Sequence, residues 1–247
     1  MKIAVISDIH GNMEALNAVL ADIEKNECEK VFALGDYAMA GPEPSSALSY
    51  FWMKKSDPNY YMIQGNTDLM IADYNDELYK TLKEKAPVMA EALREDSAML
   101  TPVDKRFLKE LPIQREVELG GVKFLLVHGS PRKNNEDILP DTPLSEVEKM
   151  LEYVLADVVL CGHTHIPCGF QTSLKKTVVN AGSVGRPFTP KPQACYLIIT
   201  VVEGKCLFEH KFVDYDKEKA SDKLLKRRFN GSDKLAKTLL DPKERHF

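Results

Sequence analysis

Short apolar runs of strand length recur along this chain, and each gives way to an acid, an amide or a histidine. The first is Ile3 to Ile6, followed by Ser7, Asp8, Ile9, His10, Gly11 and Asn12. Asp8 and His10 stand two apart, so as a continuation of the strand both side chains are expected on one side, where they can grasp one ion. Leu16, Val19, Leu20 and Ile23 then recur at helical spacing, which makes Asn12 the cap of a helix ending near Asn26. Val31 to Leu34 leads into Gly35 and Asp36. After a helical pattern through Trp52, Tyr60 to Ile63 leads into Gln64, Gly65, Asn66, Thr67 and Asp68. Strands alternating with helices build a parallel sheet, and such sheets bind ligands beyond the carboxyl ends of their strands. The chain is thereby constrained to an α/β fold with its polar residues gathered at one edge.

The remainder continues the pattern. Residues 69–111 read as charged helices, with Pro87 and Pro102 as helix starts, forming either a cap over the site or a solvated insertion. Arg115 to Val127 reads as a hairpin turning at Gly120 and Gly121, and its second strand runs directly into His128. A helix is expected over Leu144 to Leu155. Val158 to Cys161 then opens into Gly162, His163, Thr164 and His165, and Val178 and Val179 lead to a Gly-rich turn carrying Arg186. A last hairpin spans Cys195 to Val213, and two amphipathic helices, 217–229 and 233–240, precede a Lys/Arg-rich tail expected to fray. No linker divides the chain, so one domain is expected over 1–247, with 69–111 as a helical insertion and 214–247 as a helical extension.

Composition excludes several classes. No apolar run approaches the length of a bilayer span. A core-type strand follows Lys2 directly, in place of the n-region and h-region of a signal peptide, so a cytoplasmic protein is expected. The five cysteines contain no Cys-x-x-Cys and read as small buried hydrophobes. A net charge of −4 gives no basic footprint for non-specific duplex nucleic acid.

The polar residues after the strands are Asp8, His10, Asp36, Asn66, His128, His163 and His165. A lone histidine is usually a core or surface residue, but four of the chain's six meeting at one sheet edge make a metal centre. Mixed imidazole and carboxylate donors suit manganese, iron or zinc better than magnesium or calcium alone. The number of donors exceeds one ion's needs and fits two ions sharing a carboxylate.

These motifs, Asp8-x-His10, Gly35-Asp36, Gly65-Asn66-x-Asp68, His128 and Gly162-His163-x-His165, resemble in type and order the calcineurin-like metallophosphoesterase superfamily. The Ser-Asp-Ile-His-Gly-Asn opening and the Gly-Ser-Val-Gly-Arg-Pro turn resemble its small prokaryotic, phosphodiesterase-like branch. The resemblance implies a four-layer αββα sandwich of two mixed β-sheets flanked by helices, with the dimetal site at the carboxyl ends of the strands. It also implies two divalent metal ions, manganese first, with iron, zinc, nickel or magnesium as alternatives. Asp8, His10 and His165 would hold one ion and Asn66, His128 and His163 the other, with Asp36 bridging. Asp36, Asn66 and His128 would serve catalysis, the in-line attack of a metal-bridging hydroxide on a phosphoester.

One departure bears on substrate. Many members carry a histidine after the metal-binding asparagine; this chain has Thr67, whose hydroxyl can donate a hydrogen bond but cannot act as an acid near neutral pH. The leftover histidines, His210 and His246, offer no replacement. A phosphodiesterase acting on a small-molecule or nucleotide phosphoester, with looser phosphatase activity, is expected. A dinucleoside polyphosphate hydrolase, a protein phosphatase and a non-catalytic metal-binding scaffold are the alternatives, and an oligomer is allowed. Thr67, Asn12 and Arg186 are candidate substrate contacts; Asn12 reads first as a helix cap, and Arg186 reads also as a surface residue. Asp68 reads as either an orienter of a histidine or a helix cap.

Overall fold

The computed structural model describes residues 1–242; the Lys/Arg-rich tail, with His246, lies outside the described residues. Its elements run β1 (Lys2–Ile6), α1 (Met13–Lys25), β2 (Lys30–Ala33), α2 (Pro44–Met53), β3 (Tyr60–Met62), α3 (Asn66–Ala72), α4 (Asp76–Lys85), α5 (Pro87–Met99) and α6 (Pro102–Glu110). The second half runs β4 (Arg115–Leu119), β5 (Val122–Leu126), α7 (Leu144–Met150), β6 (Val158–Cys161), β7 (Cys168–Gln171), β8 (Thr177–Asn180), β9 (Ala194–Val202), β10 (Lys205–Val213), α8 (Lys217–Lys226) and α9 (Ser232–Leu240).

Two mixed five-stranded sheets form, ordered β10-β9-β1-β2-β3 and β4-β5-β6-β8-β7. In the first, β1, β2 and β3 are parallel and the β9–β10 hairpin pairs antiparallel against β1. In the second, β5, β6 and β8 are parallel, with antiparallel β4 and β7 at the edges. Alternation along each strand decides the layering. Ile3, Val5, Phe32 and Leu34 of one sheet meet Phe124, Leu126, Leu160 and Val179 of the other in an apolar seam. The alternate residues Ala4, Ile6, Val31 and Ala33 face a helical layer of α1, α2, α5, α6, α8 and α9. Behind the second sheet, Leu125, Val159 and Cys161 are covered by Val147 and Met150 of α7 and by Ile138. At about 1.5–3 kcal/mol for each large side chain buried, these seams outweigh any local propensity. The result is the expected αββα sandwich.

One local expectation fails, and one strand gave no sequence signal. The helix expected over Leu144 to Leu155 ends at Met150; Tyr153 and Leu155, which prolonged its apolar period, are 88% and 83% exposed. The Lys176 ammonium takes the carbonyls of Val154 and Ala156 and turns the chain there. Strand β7 gave no apolar run, because as an edge strand it buries only alternate residues and exposes Gly169 and Gln171.

Within 66–110, α5 packs into the helical layer rather than standing off it. Its Asp96, fully buried, accepts the Ala40 N–H at 2.7 Å and pairs with Arg227 at 2.6 Å.

Candidate metal centre

The parallel strands of both sheets deliver their exits to one place. β1, β2 and β3 lead to Asp8, Asp36 and Asn66; β5, β6 and β8 lead to His128, to His163 and His165, and to the turn of Arg186. The two halves are stitched by main-chain hydrogen bonds from Val184 N–H to Ser7 O (3.0 Å) and from Gly185 N–H to Asp8 O (2.9 Å).

The exits are not strand extensions. Asp8 and His10 adopt left-handed backbone, φ 54° and 47°, so the pleat stops at Ile6 and the expected same-face geometry does not apply. Successive tight turns bring the two together instead, held by Asp8 N–H to Gly35 O (3.0 Å) and His10 N–H to Asp36 O (2.9 Å). Asp36, His163 and His165 share the conformation, at φ 57°, 66° and 60°. Each such residue costs about 1–2 kcal/mol relative to a right-handed one. Strain of this kind, concentrated on one cluster of polar side chains, is characteristic of functional sites.

Three histidines are aimed by the same device. Nδ1 of His10, His128 and His165 lies 2.7 Å from the carbonyl oxygens of Met39, Leu34 and Arg186 respectively. A carbonyl only accepts, so each ring carries its proton on Nδ1 and turns the Nε2 lone pair inward. Those lone pairs meet carboxylates. Asp8 Oδ1 lies 3.2 Å from His165 Nε2 and 3.8 Å from the Nε2 of both His10 and His128. Asp36 Oδ2 lies 3.4 Å from His128 Nε2 and 3.8 Å from His10 Nε2. Two overlapping sets result, Asp8 with His10 and His165, and Asp8 with Asp36 and His128, each with ligand atoms within 4.8 Å of one another. Asp8 as well as Asp36 therefore lies between the two groups.

The donor set fits divalent cations. Asp8 Oδ1, Asn66 Oδ1 and His128 Nε2 are buried with no hydrogen-bond partner among the described residues, and all three offer lone pairs. Such atoms are costly to bury unless something electropositive meets them. The pKa values express the same demand. Against burial, which raises a carboxyl, neighbouring histidines hold Asp8 down at about 2 and Asp36 lower still. Burial and His165 push His10 down to about 3. Burial acts in the same direction on His128, but the charges of Asp36 and Asp8 overcome it and raise the ring to about 10. In the absence of a cation the carboxylates draw in a proton.

The other sequence candidates fall into two groups. Asn66 begins α3, and His163, half-buried, directs Nε2 to Asp137 at 3.2 Å while its main-chain N–H donates to Asp8 Oδ2 at 3.0 Å. Its ring meets that of His128 edge-on at 5.3 Å. Arg186 is buried, and its charge acts on Asp36, Asp8 and His10, so it is no surface arginine. Thr67 donates its main-chain N–H to Asp36 Oδ1 at 2.9 Å, and its buried hydroxyl has no partner among the described residues. Asn12 caps α1 by accepting from Ala15 N–H and donates to Gly185 O at 2.9 Å. Both ends of its amide are thus committed to structure. Asp68 orients no histidine; its carboxylate accepts the N–H groups of Asp36, Tyr37 and Gly65 at 2.8, 3.0 and 2.8 Å, tying the Asp36 turn to the start of α3.

Some contributors were not among the sequence candidates. Asn180, fully buried, donates to Gly162 O (2.6 Å) and Thr164 Oγ1 (3.0 Å) and so braces the His163–His165 turn. His210 Nε2 lies 2.7 Å from Asn180 O, a structural use of that leftover histidine. Ser183 Oγ donates to Asp8 O and accepts from Arg186 N–H, both at 2.9 Å. Two glycines leave room for the carboxylates: a Cβ on Gly65 would stand 2.1 Å from Asp36 Oδ1, and one on Gly162 2.6 Å from Asp8 Oδ2.

Residues 1–204 match the calcineurin-like phosphoesterase superfamily domain. The chain is 31% identical over 242 residues to an uncharacterised protein of Methanocaldococcus jannaschii, spanning 92% of this chain and 93% of that one. A hypothetical protein of Pyrococcus horikoshii shares the fold with a TM-score of 0.85 at 24% identity, over 97% of both chains. A metallophosphoesterase from Sphaerobacter thermophilus does so with a TM-score of 0.75 at 24% identity, over 97% of this chain and 98% of its own. The chain belongs to the calcineurin-like phosphoesterase superfamily, a family that uses divalent metal ions.

Proposed function

We propose that this superfamily member is a metal-dependent phosphoric ester hydrolase whose preferred substrates are phosphodiesters of a small molecule or nucleotide. The observation that carries the reading is the convergence of the Asp8 and Asp36 carboxylates with the Nε2 lone pairs of His10, His128 and His165 in one buried cluster, beside the buried cation of Arg186. Asp8, His10 and His165 would hold one divalent ion, manganese in this reading, and Asn66, His128 and His163 the other, with Asp36 shared by the two sets. The chemistry that such a pair supplies when bound is polarisation of phosphoryl oxygens and acidification of water.

The chain's own residues do the rest. The carbonyls of Met39, Leu34 and Arg186 fix the imidazole tautomers. Asp68 and the Thr67 N–H fix the Asp36 carboxylate. Arg186 is a candidate clamp for a phosphate oxygen, since its guanidinium, lowered by burial to about 10 against the opposing charges of Asp36 and Asp8, is still charged at neutral pH and offers planar donors. At Thr67 no proton can be delivered to a departing alkoxide near neutral pH, so esters with good leaving groups suffer least. That supports diesters with an acidic alcohol over alkyl monoesters.

The test is hydrolysis of bis-p-nitrophenyl phosphate and p-nitrophenyl phosphate by metal-stripped protein reconstituted with manganese, beside Asp36→Asn. Faster turnover of the diester by wild type, with Asp36→Asn at least about 100-fold slower, is the expected result. Bound manganese with no turnover of either ester would defeat the reading and favour a binding protein on this fold. Among the described residues no helix is long and apolar enough to cross a bilayer.

A further inference from the structure

A cleft of about 310 Å³ opens beside the centre, with His128 in its wall. One side is formed by Leu69 of α3 and by Ile113 and Gln114; the other is the loop from Ser130 to Asn135. Leu69 stands three residues after Asn66 on the same helix and hence on the same face. The cleft therefore adjoins the His128 exit, with Asn66 one helical turn before its wall residue Leu69.

Both walls are preformed. Gln64 donates its main-chain N–H to Pro112 O at 2.8 Å and its side-chain amide to Leu108 O at 2.7 Å, which fixes the strand exit against the stretch carrying Ile113. Across the cleft, Ser130 Oγ accepts the N–H groups of Arg132 and Lys133 at 3.1 and 3.2 Å and donates to Glu136, while Ser130 N–H donates to Lys133 O at 2.8 Å. The composition of the lining is selective. Ile113, 58% exposed, and half-buried Leu69 offer apolar surface at the rim. Among the described residues the side chains of Gln114, Asn134 and Asn135 have no hydrogen-bond partner, and neither does the Lys133 ammonium. The Arg132 guanidinium is paired with Glu136, and no carboxylate lines the cleft.

We propose that this cleft is a subsite for the nucleoside portion of the substrate, an inference that rests on the phosphoesterase reading for the phosphate alone. Aliphatic side chains cover the flat faces of a base, while carboxamides meet the alternating donors and acceptors of its edge. An acyl chain would leave three amides and an ammonium unpaired, and a small polyol would leave Ile113 and Leu69 uncovered. A volume near 310 Å³ suits a group the size of a nucleoside.

Titration calorimetry of the manganese-loaded protein with AMP and with ribose 5-phosphate tests it, because the two ligands share phosphate and ribose and differ by the base. Wild type is expected to bind AMP at least about tenfold more tightly, and Ile113→Asp and Asn134→Ala, both at sites outside the core, to bring the two ligands within about twofold. Equal affinities in wild type, or an undiminished preference in both variants, would overturn the subsite. Diester hydrolysis without a preference for AMP removes the subsite and leaves the proposed function standing. A variant-sensitive preference in a protein that hydrolyses no phosphoester does the reverse.

Discussion

The Nε2 atoms of His10 and His165 face one another at 3.2 Å on the buried floor of the centre. Each ring donates its Nδ1–H to a carbonyl, and His10, held down at about 3 by burial and by His165, stays neutral, so its Nε2 lone pair is set against the other ring's Nε2 and calls for a cation between them. Filling the site with manganese removes that repulsion. At 100 times its dissociation constant a ligand stabilises the fold by about 2.7 kcal/mol, which for a chain of this size raises Tm by about 5–10 °C. Scanning calorimetry with manganese and then with chelator should show this rise and its reversal. A Tm indifferent to manganese would mean that no manganese enters the gap between the two rings.

Gly65→Ala is expected to damage the centre without replacing any ligand. The added Cβ would stand 2.1 Å from Asp36 Oδ1 and 2.4 Å from Asp36 N, and a displacement of about 1 Å at such a site costs on the order of 100-fold in rate. Kinetics on the aryl diester, paired with manganese binding by calorimetry, should show both weakened. Wild-type values for both would show that the Asp36 turn yields easily.

Asp96 and Arg227 govern the loop behind His10. Arg227 Nη1 donates to Gly41 O at 2.9 Å and pairs with Asp96, which takes the Ala40 N–H; the neighbouring Met39 carbonyl aims His10. Burial raises the Asp96 carboxyl to about 6, with Arg227 and the Ala40 N–H opposing it. A folded pKa above the unfolded value of 3.8 means that this group's contribution is complete below about pH 4 and is lost as pH rises through 6. Measured by urea unfolding, wild type should therefore lose about 3 kcal/mol relative to Asp96→Asn between pH 4 and 7. A difference that stays flat across that range would refute the linkage. Asp96→Ala, which strands a buried guanidinium, should cost about 3–5 kcal/mol.

Thr67→His restores a titratable group beside Asn66 while keeping the main-chain N–H that holds Asp36. Monoester turnover should rise by about tenfold or more relative to diester turnover, with a new descending limb at high pH as the imidazole loses its proton. An unchanged ratio of the two activities would show that leaving-group protonation does not limit monoesters here.

Much of this was legible in the chain itself. The apolar runs ending in Asp8, Asp36, Asn66, His128 and His163 exposed both the parallel strands and the edge at which they meet, because a buried parallel strand must be apolar throughout and can become polar only where it leaves the sheet. The same logic limited the reading. Periodicity describes a residue's neighbours along the chain, so it placed Asp8 and His10 on a pleat that stops at Ile6, and it could not distinguish Asn12, spent on Ala15 and Gly185, from a side chain open to ligand. It was equally silent on Asn180, Ser183 and Arg227, whose partners lie up to 186 residues away. That Asp8, His10, Asp36, His128 and His165 gather at one edge followed from the order of residues; how each histidine is aimed was decided by hydrogen bonds to carbonyls that only the folded chain brings within reach.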